Sequence, residues 1–120
     1  MKRIWILLAA FAATAATLFA VVPFAGARSA AQTATTVKVT AKEYKFILSK
    51  HSAHHGKVTF KVTNKGKIKH DFKIAGKKTK LLKPGKSASL TVTLKKGKYR
   101  YKCTVLGHAT LGMKGTFKAT

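Results

Sequence analysis

From Val37 onward the apolar residues of this chain recur at every second position, in short runs broken by turn residues, and that period leaves no room for a helical core. Val37 and Val39 alternate with lysine and threonine, and Tyr44, Phe46 and Leu48 continue on even numbers. The change of parity near Ala41 and Lys42 predicts a bend or bulge. Val58, Phe60 and Val62 form a clean alternation ended by Asn64-Lys65-Gly66, and His70, Phe72 and Ile74 share one face of the next run. Pro84-Gly85 supplies a turn; Leu90, Val92 and Leu94 follow as an inward row. Lys96-Gly97 makes a further turn before Tyr99, Tyr101 and Cys103, and Met113, Gly115 and Phe117 close the set. Short strands separated by turns, with no helix-period segment among them, predict an all-β fold, an antiparallel β-sandwich.

The first 36 residues have a different character. Lys2 and Arg3 precede an apolar run from Ile4 to Val22, then Pro23 and the small-residue pattern Ala25-Gly26-Ala27. This is the layout of a secretory signal peptide at 1–27, cut after Ala27, which predicts an exported protein: periplasmic, extracellular or associated with the cell envelope. The alternative is an uncleaved membrane anchor, since 4–22 is long enough to span a bilayer. Residues 28–36, rich in Ala, Ser and Thr, read as a flexible linker to a single domain at 37–120.

Within that domain the segment Tyr101–Gly115 places Cys103, His108 and Met113 at intervals of five. A soft thiolate, a borderline imidazole and a weak thioether belong to the donor set of blue-copper sites, in which two His and one Cys lie in a plane and Met sits at a long axial distance. The second imidazole must come from elsewhere, and His70, in Lys69-His70-Asp71-Phe72, is the best supplier. His70 shares parity with Phe72 and Ile74, Cys103 with Tyr99 and Tyr101, and Met113 with Phe117, so these three proposed ligands extend core-facing rows. Taken singly, each has an ordinary alternative. Cys103, the only cysteine, could be a buried free thiol or form an intermolecular bridge; Met113 could fill a core gap, and either histidine could be an ordinary loop or strand-end residue.

These residues resemble the cupredoxin (type 1 blue-copper) family, in particular small exported electron carriers of the plastocyanin and auracyanin type. The resemblance rests on His70-Asp71-Phe72, on Pro84-Gly85 with Ser89–Leu94, and on Tyr-x-Cys-Thr-x-x-Gly-His-x4-Met-Lys-Gly from 101 to 115, and it covers roughly 37–120. It implies a Greek-key sandwich, one copper ion as cofactor, no enzymatic activity, and a hydrogen bond from Asp71 near Thr104 that ties two ligand loops together. The chain departs from the family at His51-Ser52-Ala53-His54-His55, where relatives more often carry a Pro-Ala turn, and in its excess of lysine.

That excess is large: 25 Lys and Arg against 2 acids, for a formal net charge of +23. Loss of Lys2 and Arg3 with the leader would lower it by two. Lys38, Lys45, Lys57, Lys61, Lys73 and Lys118 fall on outward strand positions, a solvated face that also discourages edge pairing. Such charge attracts acidic partners over long range; the leader and the lack of an aromatic-rich recognition motif argue against nucleic acid. An acidic redox protein or an anionic cell-envelope surface fits better, with no small-molecule substrate and a monomeric state. Uncharged Val105–Leu111 predicts an apolar docking patch with Leu106 and Leu111, beside a His108 that carries the electron in and out. The reading is therefore a single-electron shuttle. An exported copper-binding or delivery protein is the alternative, to which a second metal site at His51, His54 and His55 would belong. A copper oxidase or reductase would need further histidine clusters, and the chain has only five histidines.

Overall fold

The computed structural model describes residues 34–120, in which nine strands follow one another: β1 (Thr35–Lys42), β2 (Lys45–Leu48), β3 (Ser52–Ala53), β4 (Gly56–Asn64), β5 (Lys73–Ile74), β6 (Lys77–Lys78), β7 (Ser87–Leu94), β8 (Gly97–Lys102) and β9 (Lys114–Ala119). They form two sheets, β2-β1-β4-β7 and β3-β9-β8-β5-β6, and the fold is an all-β sandwich. The leader at 1–27, and with it the possible anchor at 4–22, lies outside the described residues, as does the linker up to residue 33. Thr35 and Thr36, assigned to that linker, already belong to β1, where they pair with Val58 and Thr59.

The parity shift near Ala41 and Lys42 turns out to be a hairpin and not a bulge. Ala41 opposes Phe46 and Lys42 opposes Lys45, leaving Glu43 and Tyr44 as a two-residue loop. Opposed residues share a face, so the inward odd positions of β1 are answered by even positions on β2. The pairing is also not antiparallel throughout. β1 runs parallel to β4, and β3 runs parallel to β9. After β2 the chain crosses to the second sheet as β3, then returns as β4 on the far side of β1. Alternation reports which face a residue takes but carries no information about strand direction, which is why the parallel pairs were not legible.

Between the sheets the inward rows interlock around Phe60. Its ring lies 5.2 Å from both Phe72 and Phe117, and Phe46 meets Phe72 edge-on at 5.2 Å. Val37, Val39, Val58, Val62, Ile74, Leu82 and Leu94 complete a dry core. Replacing a fully buried aromatic such as Phe60 by Ala costs about 3–5 kcal/mol in such a setting. Opposite Tyr101 in the β8–β9 ladder stands Gly115, and a Cβ there would collide with the Tyr101 ring. The glycine thus lets Tyr101 lie flat in the core beside Phe72, one turn of the pleat from Cys103.

Candidate metal centre

At one end of the sandwich a second, smaller buried cluster joins Ala41, Cys103 and Met113. Cys103 follows the last residue of β8, and Met113 precedes the first of β9. The intervening loop is cross-tied: Cys103 N–H donates to Met113 O, and Met113 N–H donates to His108 O. His70 arrives from elsewhere, held outside any strand by a two-way backbone bridge to Leu82. Its side chain is completely buried.

Three donors converge there. His70 Nδ1 lies 3.1 Å from His108 Nδ1, and Cys103 Sγ lies 3.6 Å from His108 Nδ1. All three ligating atoms fall within 4.8 Å of one another, and they form the one grouping of three or more His, Cys or acidic ligands among the described residues. Donor atoms at these separations can share a single ion at roughly 2.0–2.3 Å from each. The chemistry of the set, one thiol and two imidazoles with a buried thioether packed against the thiol, suits copper.

Electrostatics prepare the donors. Burial pushes the Cys103 thiol up, so the metal-free thiol holds its proton at neutral pH, while the Asp71 N–H donates toward its sulfur at 3.5 Å. Burial, and then the neighbouring His70, push His108 down, which keeps its imidazole neutral and able to bind metal. Asp71 accepts hydrogen bonds from both Thr104 N–H and Thr104 Oγ–H, joining the segment that carries His70 to the one that carries Cys103.

Glu43 was not singled out in the sequence. Its Oε1 lies 2.9 Å from His70 Nε2 and also accepts from Lys67 N–H and Ile68 N–H at 2.8 and 3.1 Å. The His70 hydrogen bond is the main reason the Glu43 carboxyl sits near 2, well below its ordinary range. An ionised carboxylate can only accept, so His70 carries its proton on Nε2 and turns the Nδ1 lone pair toward the other donors. Buried Asn64 shapes the same loop: its amide donates to Ile68 O and Leu82 O, and its Oδ1 accepts from Gly66 N–H. A Cβ on Gly66 would strike the Glu43 carboxylate. One signal could have found Glu43, namely that it is one of only two acids in a chain of +23.

His108 differs from expectation in one respect. The loop is exposed, with Leu106 98% and Leu111 60% accessible, but His108 itself is only 7% accessible and meets Tyr44 edge-on at 5.2 Å. It reaches the surface in an open depression of about 450 Å³ lined by Lys67, Ile68, Lys69, Pro84 and Val105. The apolar ground beside His108 therefore comes partly from Ile68 and Pro84, and neither Leu106 nor Leu111 is among the residues that line it. His51, His54 and His55 are not drawn into a three-ligand group; the His54 and His55 rings lie 4.2 Å apart, tilted at 45°, and His55 Nδ1 bonds Thr120 O at 2.9 Å.

A Cys-His-His triad closing one end of a two-sheet sandwich defines a β-sandwich metal protein. Residues 4–116 match the Cupredoxin-like domain family, and the chain belongs to that family. Three solved structures illustrate the likeness, each with a TM-score of 0.62. Dithionite-reduced auracyanin from Roseiflexus castenholzii is 20% identical, the match covering 72% of this chain and 98% of that one. Auracyanin B is 24% identical over 72% and 89%, and auracyanin A from Chloroflexus aurantiacus, described as a "blue" copper protein, is 20% identical over 73% and 100%. At these identities the likeness concerns the fold. No curated protein matches the chain.

Proposed function

We propose that this protein is an exported blue-copper electron carrier, in which His70, Cys103 and His108 would hold one copper ion and Met113 would supply a weaker fourth donor. The observation that carries the proposal is the convergence of one thiol and two imidazoles, from the Cys103–His108 loop and the distant His70 segment, at a buried end of the sandwich. Copper in such a set cycles between Cu(I) and Cu(II). The chain's own residues do the rest. Glu43 and the Asp71–Thr104 pair fix the donors, Cys103 surrenders its proton on ligation, and the surrounding core excludes water and limits rearrangement.

His108 is the exit for the electron, because its ring lies at the floor of the depression walled by Ile68, Pro84 and Val105. Leu106 stands fully in solvent nearby, and Lys67 and Lys69 flank the apolar ground. Charge steers an acidic redox partner toward this end, while close apolar contact brings it to the imidazole. The leader read at 1–27 supports export, and mass spectrometry of the native protein should find a chain that begins at Arg28; an intact Met1 on membrane-extracted protein would favour the anchor.

The direct test is reconstitution with Cu(II). The protein should turn intensely blue through thiolate-to-copper charge transfer and bleach reversibly on reduction, and Cys103→Ala should be colourless. A colourless wild type, or a Cys103→Ala variant that remains blue, would refute the assignment.

A further inference from the structure

The lysines of the second sheet are not scattered. Lys78 opposes Lys73 in the β5–β6 ladder, Lys73 opposes Lys102 in β5–β8, and Lys102 opposes Lys114 in β8–β9. Directly opposed residues share a face, so four lysines stand side by side across four adjacent strands, a row roughly 14 Å long at the usual strand spacing. Arg100 lies two positions before Lys102 on the same face, and Lys98 opposes Lys118 two positions further on. Cations therefore cover this face in two dimensions. Like charges set opposite one another are destabilising, and nothing on the face relieves them. The chain's two carboxylates are both engaged at the metal centre, Glu43 by His70 and Asp71 by Thr104.

The first sheet is built differently. Its outward rows include Thr36–Thr59–Thr91 and Thr40–Thr63–Ser87, with Thr59 bonded to Thr91 and Thr63 to Ser87 at 2.9 Å. Lysines in register there stop at two, as in Lys38–Lys61 and Lys42–Lys45. Protection of sheet edges does not explain the longer row, because it passes through the interior strands β5 and β8. The face also holds an open depression of about 700 Å³ bounded by Lys73, Arg100, Lys102 and Lys114.

We propose that this face docks the protein onto an anionic lipid bilayer, β5, β8 and β9 lying parallel to the membrane and the depression taking a headgroup phosphate. The composition favours a bilayer over a protein partner. Protein interfaces are depleted of lysine and enriched in aromatic anchors at their centres, whereas this face is nearly all lysine and its aromatic residues point inward. Lysine is a flexible point charge without the geometric demands of a bidentate fork, which suits a planar sheet of mobile phosphates. Ala109, next to His108, borders the depression, so the metal end would sit at the rim of the contact, free to meet a partner on the same membrane.

The test uses the mature chain from Arg28 without copper, so that the apolar run 4–22 cannot itself insert into the vesicles and the outcome is separate from that of the electron-carrier proposal. Lysine acetylation read by mass spectrometry should show Lys73, Lys78, Lys102 and Lys114 shielded on vesicles with about 30 mol % phosphatidylglycerol, unshielded on phosphatidylcholine, and released by about 0.5 M salt. Changing these four to Gln should weaken the salt-sensitive vesicle binding on the order of 100-fold, and changing Lys38, Lys42, Lys57 and Lys61 to Gln less than about 10-fold. Circular dichroism checks that both variants fold. Equal losses in the two variants, or equal shielding of Lys38 and Lys61, would reduce the effect to net charge and overturn the proposal. So would polyglutamate shielding the same four lysines at a lower charge concentration than lipid, which would point to an acidic polypeptide, or inorganic phosphate alone giving the same pattern.

Discussion

Glu43 Oε1 and His70 Nε2 meet at 2.9 Å across 27 residues of chain, so the hairpin loop between the first two strands sets the orientation of a metal ligand. Glu43→Ala should leave the sandwich folded and weaken copper binding about 10–100-fold, the usual effect of losing a ligand's outer hydrogen bond. Glu43→Gln keeps an acceptor without the charge and should fall between. Competition with a chelator of known affinity measures this, and an unchanged affinity in Glu43→Ala would remove Glu43 from the site.

The same contact makes the metal-free protein sensitive to acid. Glu43 titrates near 2 when folded and near 4.5 when unfolded, so its stabilising contribution is complete above about 4.5 and is lost as pH falls toward 2. His108 acts in the same direction, because its depressed folded value makes the unfolded chain take up protons first as pH drops below the ordinary histidine range. Urea midpoints should therefore fall on acidification, and the portion of that fall below pH 4.5 should be smaller in Glu43→Gln.

Copper uptake at neutral pH should release about one proton per ion, because the Cys103 thiol is pushed up by burial and must ionise to ligate. A pH indicator in weak buffer reports it directly. Cys103→Ala should release none from this source, and a wild type that also released none would mean that the thiol is not a ligand.

If Met113 donates to the copper as proposed, Met113→Leu should stay blue and shift to a higher reduction potential, since loss of an electron-donating thioether disfavours Cu(II). Met113 is fully buried beside Cys103, and leucine is close to it in volume, so the fold should tolerate the change. Spectroelectrochemistry separates the outcomes: an unchanged potential would make Met113 a packing residue only.

Electron transfer to an acidic partner should slow steeply as salt rises, and Ile68→Glu or Leu106→Glu should slow it on the order of ten-fold with the blue spectrum kept. Leu111→Glu should have a smaller effect, because Leu111 is less exposed than Leu106 and, unlike Ile68, does not line the depression over His108. Stopped-flow rates that ignore salt, or an Ile68→Glu protein as fast as wild type, would refute docking at this end.

The sequence carried the fold class through residue parity, as with Val58, Phe60 and Val62, and it carried the approach of Cys103 and His108 through spacing within one loop. Parity could not show that β1 lies parallel to β4, because direction depends on which way the chain crosses between sheets. Nor could it show Glu43, whose partner is 27 residues away and whose role exists only once Asn64 and Gly66 have folded a loop around its carboxylate. The lysine row was hidden for a similar reason: Lys73, Lys78, Lys102 and Lys114 come from four strands, and only the register aligns them.

Both acidic side chains are turned toward the metal end and engaged there, so one copy offers another no free side-chain carboxylate to pair with its lysines. Two copies approaching with their His108 ends together each bring Lys67 and Lys69 to the contact and repel. Electron self-exchange between copies should thus be slow at low salt and quicken as salt is added, opposite to the exchange with an acidic partner. A reduced molecule would keep its electron among its own kind and give it up to a surface of the other sign.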